Sequence, residues 1–101
     1  MPWYTFGVPL LFDGSPYPAD TVFAFEAVIK TSDPAHAAFA RLWDVEAGRQ
    51  VSGSAVASTS TTPERCRSIR IYPQSKVYRA EFGGASGAVW TCYAADIVGQ
   101  K

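Results

Sequence analysis

Along most of this chain apolar side chains recur at every second residue, not every third or fourth. Residues 21–30 (TVFAFEAVIK) place Phe23, Phe25, Ala27 and Ile29 on one side. Residues 37–45 set Ala38, Ala40 and Leu42 against Phe39, Arg41 and Trp43. Residues 77–82 set Tyr78, Ala80 and Phe82 against Val77, Arg79 and Glu81. Residues 67–72 (RSIRIY) bring Ile69 and Ile71 together, and residues 88–98 (AVWTCYAADIV) form a β-branched and aromatic run, with Trp90 and Cys92 opposite Val89, Tyr93 and Ile97. A period of two marks a β-strand, so each segment is expected to be one. Residues 35–40 are too short a run to stand alone as a helix, and strand is preferred there.

Turn chemistry separates these runs. Asp13-Gly14-Ser15-Pro16 with Pro18, then Ser32-Asp33-Pro34 and Pro73-Gln74-Ser75, interrupt the alternation. Glu46-Ala47-Gly48, flanked by Val45 and Val51, reads as a hairpin loop in which Gly48 supplies a left-handed backbone. Residues 83–87 (GGASG) join the last two strands; they do not precede a helix, so a phosphate-binding loop is disfavoured. Residues 52–63 have seven Ser or Thr in twelve, which suits either a polar edge strand or a long connection. Residues 1–18 read as an irregular N-terminal segment or an edge strand. The expectation is one all-β domain over residues 1–101, an antiparallel β-sandwich or jelly-roll-like barrel of about 6–8 strands.

The run Arg41-Leu42-Trp43-Asp44-Val45, then Gly48, Val51 and Gly53-Ser54, resembles the β-hairpin of jelly-roll-like modules. Ser60-Thr61-Thr62-Pro63, Arg65, Arg67-Ser68, Tyr78-Arg79 and Phe82-Gly83-Gly84 extend the likeness over about residues 37–98. Such modules include carbohydrate-binding and trimer-forming β-sandwich domains of phage, bacterial and metagenomic proteins. The resemblance implies architecture and transfers no catalytic residue.

Composition narrows the function. Nine basic and nine acidic residues leave a net charge of zero, which disfavours a nucleic-acid or membrane-surface binder. Residues 1–50 carry three basic and six acidic groups and residues 51–101 the reverse, a split that suits either self-association or a solvated surface. The first basic residue is Lys30, so no charged segment precedes an apolar one as in a secretory signal, and the charge-free residues 1–12 are too short to span a bilayer. A soluble protein in the cytoplasm is the default expectation.

Candidate chemistry is sparse. Cys66 and Cys92 fall in different expected strands and are read as buried or partly buried thiols in preference to a disulfide. One His and two Cys without C-x-x-C spacing provide no zinc site, and nothing in the spacing brings His36 to a cysteine as a nucleophile pair. No metal and no cofactor is expected. Glu26 and Glu81 lie mid-strand, where a carboxylate pair would suit a small hydrolase. Ion pairing of Glu81 with Arg79, and of Glu26 with Arg41, is the preferred reading. Arg65, Arg67, Arg70 and Arg79 with Tyr72 and Tyr78 could make a basic–aromatic strip, but pairing with acidic groups is preferred.

The aromatic and apolar residues are the most informative. The expected outer faces carry Val22, Ala24 and Val28 in one strand, and Phe39, Trp43 and Val45 in another. A sheet with one wet face should alternate more cleanly, so the surplus must be covered. A second copy of the chain, in a dimer or trimer, covers it through Val22, Val28, Phe39, Trp43 and Trp90. The alternative cover is the N-terminal segment, with Trp3, Tyr4 and Phe6 as a plug. A second function follows from the same residues: Trp43, Trp90, Trp3 and Tyr17 as stacking platforms for a carbohydrate or small-molecule ligand. The favoured function is a non-enzymatic, self-associating module, structural or accessory in role.

Overall fold

A computed structural model describes residues 3–100. They form eight strands: β1 (Trp3–Phe12), β2 (Val22–Thr31), β3 (Ala38–Asp44), β4 (Arg49–Gln50), β5 (Val56–Ser58), β6 (Glu64–Arg67), β7 (Lys76–Gly84) and β8 (Trp90–Gln100). No helix occurs among the described residues, and so none long and apolar enough to cross a membrane. Every pairing is antiparallel. One sheet has the order β1-β7-β3, with β4 and β5 sharing the far edge of β3; the other is β6-β2-β8. The two sheets stack as a sandwich, with β8 over β7 and β1, β2 over β3, and β6 over β5.

The alternation read from the sequence sets the core. Phe25, Ala27 and Ile29 of β2 face Ala38, Ala40 and Leu42 of β3 and Tyr78 and Ala80 of β7, and all are buried. Small residues at 27, 38, 40 and 80 leave room for Phe25 and the other large side chains at close-packed density. Gly48 has φ +67° and its N–H donates to the Asp44 carbonyl, so the tight turn after β3 rests on a left-handed glycine as expected.

The Ser/Thr-rich stretch is both an edge strand and a connection. After the three residues of β5 it crosses to the second sheet. Between β4 and β5, the Ser54 hydroxyl accepts from the Leu42 N–H at 3.1 Å and donates to the Leu42 carbonyl at 3.3 Å. A side chain thus supplies the pairing that a continuous strand would have given.

Two expectations are corrected, and a third is narrowed. The strand expected over residues 67–72 lies earlier, at Glu64–Arg67, and only Ile71 rejoins the sheet by a single bridge to Phe23. The cause is Ser68, whose N–H donates to the Phe25 carbonyl while its hydroxyl accepts from the Phe25 N–H, interrupting the ladder. Ile71 is therefore buried and Ile69 exposed, instead of sharing a face. In β8 a bulge at Tyr93 shifts the register between Val28 and Ile29. Ile97 consequently joins Cys92 and Trp90 on the inner face, not the opposite one. The N-terminal segment is a ten-residue edge strand, with an irregularity between Phe6 and Leu10 where Gly7 and Pro9 sit.

Candidate functional site

Each sheet carries, on the face turned away from the core, a glutamate held by two arginines. On the β1-β7-β3 sheet, cross-strand pairing sets Glu81 opposite Arg41, with Thr5 of β1 on its other side. Arg41 Nε donates to Glu81 Oε1 at 2.8 Å, with Nη2 at salt-bridge distance of the same oxygen, and Arg79 Nε donates to Oε2 at 2.8 Å. The Arg41 guanidinium lies 4.0 Å from the centre of the Trp3 ring and 4.5 Å from that of Trp43, with Arg79 5.7 Å from the latter. This stack excludes water from the Arg41–Glu81 pair, whose side chains are 16% and 5% exposed, whereas Arg79 stays 40% exposed. Phe39, the exposed Leu11 and Val77 complete the surface, which is apolar around the covered Arg41–Glu81 pair.

The second clasp is built in the same way but left open. Glu26 of β2 stands opposite Arg67 of β6 and Asp96 of β8. Arg65 Nη1 donates to Glu26 Oε1 at 2.7 Å and Arg67 Nε to Oε2 at 2.8 Å. These bonds hold the Glu26 carboxyl below its ordinary range, Arg65 contributing most. The arginine side chains are 68% and 44% exposed, and no aromatic ring stacks on either. Arg41 therefore pairs with Glu81, where pairing with Glu26 was expected. The two glutamates point outward from opposite sheets, so they cannot share a substrate as a carboxylate pair.

The residues singled out in the sequence scatter over four places. Trp3, Phe39 and Trp43 gather on the β1-β7-β3 face. Val22 and Val28 lie on the opposite face, flanking Glu26 along β2. Trp90 turns inward at one end of the sandwich, against Gly84, where a Cβ would come within 2.4 Å of the indole nitrogen. Tyr17 packs with Phe12 and Phe23 at the other end, its ring 6.1 Å and 5.1 Å from theirs. Trp3 thus acts apart from Tyr4 and Phe6, whose rings approach Phe82 on the inner side. The expected arginine–tyrosine strip is split: Arg65 and Arg67 lie on one sheet, Arg79 on the other, Arg70 stacks on Tyr72, and Tyr78 is buried.

The thiols and the imidazole are likewise separated. Cys66 and Cys92 are both free, on the inner face of the strands either side of β2. Two strand spacings come to roughly 9–10 Å, beyond the reach of a disulfide. Burial pushes both thiols up, Cys92 to about 11. His36 Nδ1 lies 3.1 Å from Asp33 in the turn before β3, and its ring backs onto Gly87.

Sequence reasoning missed the sandwiching of Arg41. The signal was present in the spacing of Arg41 and Trp43 on one strand face, but Trp3 and Glu81 reach it only through long-range register. The fold and this face define an all-β sandwich with one sealed and one open glutamate clasp. No family model matches the chain, and no curated protein or solved structure does so either.

Proposed function

We propose that this chain is a non-enzymatic β-sandwich module that associates with further copies of itself, as a dimer or trimer, through the outer face of the β1-β7-β3 sheet. One observation carries this reading: Trp3, Phe39 and Trp43 surround an Arg41–Glu81 ion pair that is neutralised and desolvated within the chain, with Arg79 a further cation at its rim, 40% exposed. A partner can cover the Arg41–Glu81 pair without stranding either charge while Arg79 stays at the wet rim, and Trp and Arg are the residue types that dominate the centres of interfaces. A chain of zero net charge adds no overall repulsion between copies. The opposite face lacks aromatic rings over its clasp, and its arginines remain hydrated.

The sugar-binding reading rests on the same tryptophans. Trp43 has two guanidinium groups over its ring, and a sugar would compete with them, so assembly is favoured. The test is sedimentation of four variants. Trp43→Lys and Phe39→Lys are expected to give the monomer mass with unchanged circular dichroism, while Val22→Lys and Val28→Lys keep the wild-type mass. A wild-type chain that is monomeric, and that binds a polysaccharide through Trp43, would replace assembly with sugar recognition.

A further inference from the structure

The two sheets differ in width. The β1-β7-β3 sheet is four strands across, since β4 and β5 share one edge, whereas the β6-β2-β8 sheet is three across. With β6 over β5, β2 over β3, and β8 over β7 and β1, the sandwich lacks a strand beside β8. Both kinds of surface that a strand would need are present there.

The first is a row of backbone groups. Phe25 spends its N–H and C=O on Ser68, and Phe23 accepts from Ile71, so both residues turn their backbone polar groups towards β6. Their antiparallel partners Ile97 and Gly99 must then turn theirs away from β2, as must Ala95 opposite Ala27. One of these groups is masked, the Ile97 N–H, which donates to the Asp96 carboxylate at 2.8 Å. β8 carries no Pro or Lys to blunt its edge.

The second is an apolar shelf. The inner-facing residues of β1 look past β8, with a hollow towards each end of the seam. Tyr4, Phe82 and Trp90 line one and Leu10, Tyr17 and Ile97 the other, while Phe6 reaches a third hollow that opens over Glu26, Val28 and Asp96 on the outer face of β2 and β8. Tyr4 is half exposed for want of anything above it.

Charge selects the occupant. Asp96 and Asp13 border the seam, and neither has a salt-bridge partner among the described residues. Of the basic residues beside it, Arg65 is committed to Glu26 and Lys30 lies over the Tyr93 ring, 5.9 Å from its centre. We infer that this seam receives an extended segment of another protein as an added strand, its apolar side chains on alternate positions over the β1 shelf and its Lys or Arg side chains facing Asp96 and Asp13. A second copy fits less well. Its long free edges, β1 and β8, contain no basic residue, symmetric β8 pairing brings two Asp96 side chains into one sheet, and β6 spans only four residues.

The probe is a capped decapeptide alternating valine with lysine, titrated into the intact chain and followed by amide chemical shifts and fluorescence anisotropy. Shifts are expected along β8 and β1 and not at Trp43. Ala95→Pro removes an N–H that faces outward, so the strand keeps its bonds to β2 while the edge is blocked. That variant, shown folded by its melting curve, is expected to bind about tenfold more weakly or worse, as is Asp96→Lys. Replacing lysine by glutamate in the peptide is expected to lower affinity similarly. Absence of β8 shifts at saturating peptide would overturn the inference. So would wild-type affinity in folded Ala95→Pro, equal binding of the glutamate peptide, or amide protection of β8 in an oligomer of the chain alone. Because the seam and the Trp43 face are different surfaces, Trp43→Lys should leave peptide binding unchanged whatever its effect on mass.

Discussion

The two glutamate clasps share one chemistry and differ in what lies on top of it. Glu81 and Glu26 each accept from two arginines at salt-bridge distance, on mid-strand positions facing away from the core. Trp3 and Trp43 close over Arg41 in one, with only Arg79 left half open; water reaches both Arg65 and Arg67 in the other. An ion pair in water contributes little, because the solvent competes for both partners and screens them. The same pair under an indole keeps its attraction and becomes fixed in place, at the cost of desolvation. Aromatic cover therefore turns a solvated surface charge into a rigid, dry platform.

The contrast can be broken by substitution. The largest effect is expected from Glu81→Gln, which strands the Arg41 guanidinium under the tryptophans and should destabilise the fold by about 3 kcal/mol. For a chain of this length that corresponds to a fall in melting temperature of roughly 12–20 °C by calorimetry. Glu26→Gln removes the same bonds from an open site and should cost about 0.5–1 kcal/mol. Comparable losses from the two changes would mean that the indoles add nothing to the sealed clasp.

Acid sharpens the comparison further. Because Arg65 and Arg67 lower the Glu26 pKa in the folded chain, its contribution is fully present above the ordinary value of 4.5 and is lost as pH falls through the folded value. The difference in melting temperature between wild type and Glu26→Gln should thus shrink steadily below pH 4.5. A difference that grew on acidification would reverse the sign of this linkage.

The smallest effect concerns the thiols inside the sandwich. Raising Cys92 from 9.0 to about 11 lowers its thiolate fraction roughly a hundredfold at neutral pH. Alkylation of Cys92 in the folded chain should be slower than that of an unfolded control by at least this factor, read by mass spectrometry. Substitutions at either clasp that leave the core intact should not change it.

The sequence made local faces legible and long-range register illegible. Ala38, Ala40 and Leu42 against Phe39, Arg41 and Trp43 could be read directly, because alternation within a strand is dictated by the pleat. Which arginine meets which glutamate could not, since β2 meets β6, and β3 meets β7, across long stretches of chain. Arg67–Tyr72 read as a strand, yet the strand lies at Glu64–Arg67, because the Ser68 side chain competes for the backbone of Phe25. The Tyr93 bulge likewise reversed the faces of β8 beyond it, a change that strict alternation conceals. Of the residues expected at an interface, Phe39 and Trp43 share the sealed face, while Val22, Val28 and Trp90 lie elsewhere.

The most direct measurement is the solution mass of the wild-type chain and of Trp43→Lys, by light scattering over a concentration series. Assembly through the sealed face should give a dimer or trimer mass for the wild type and a folded monomer for Trp43→Lys. A wild-type monomer at every concentration, or a Trp43→Lys chain that keeps the wild-type mass, would contradict it.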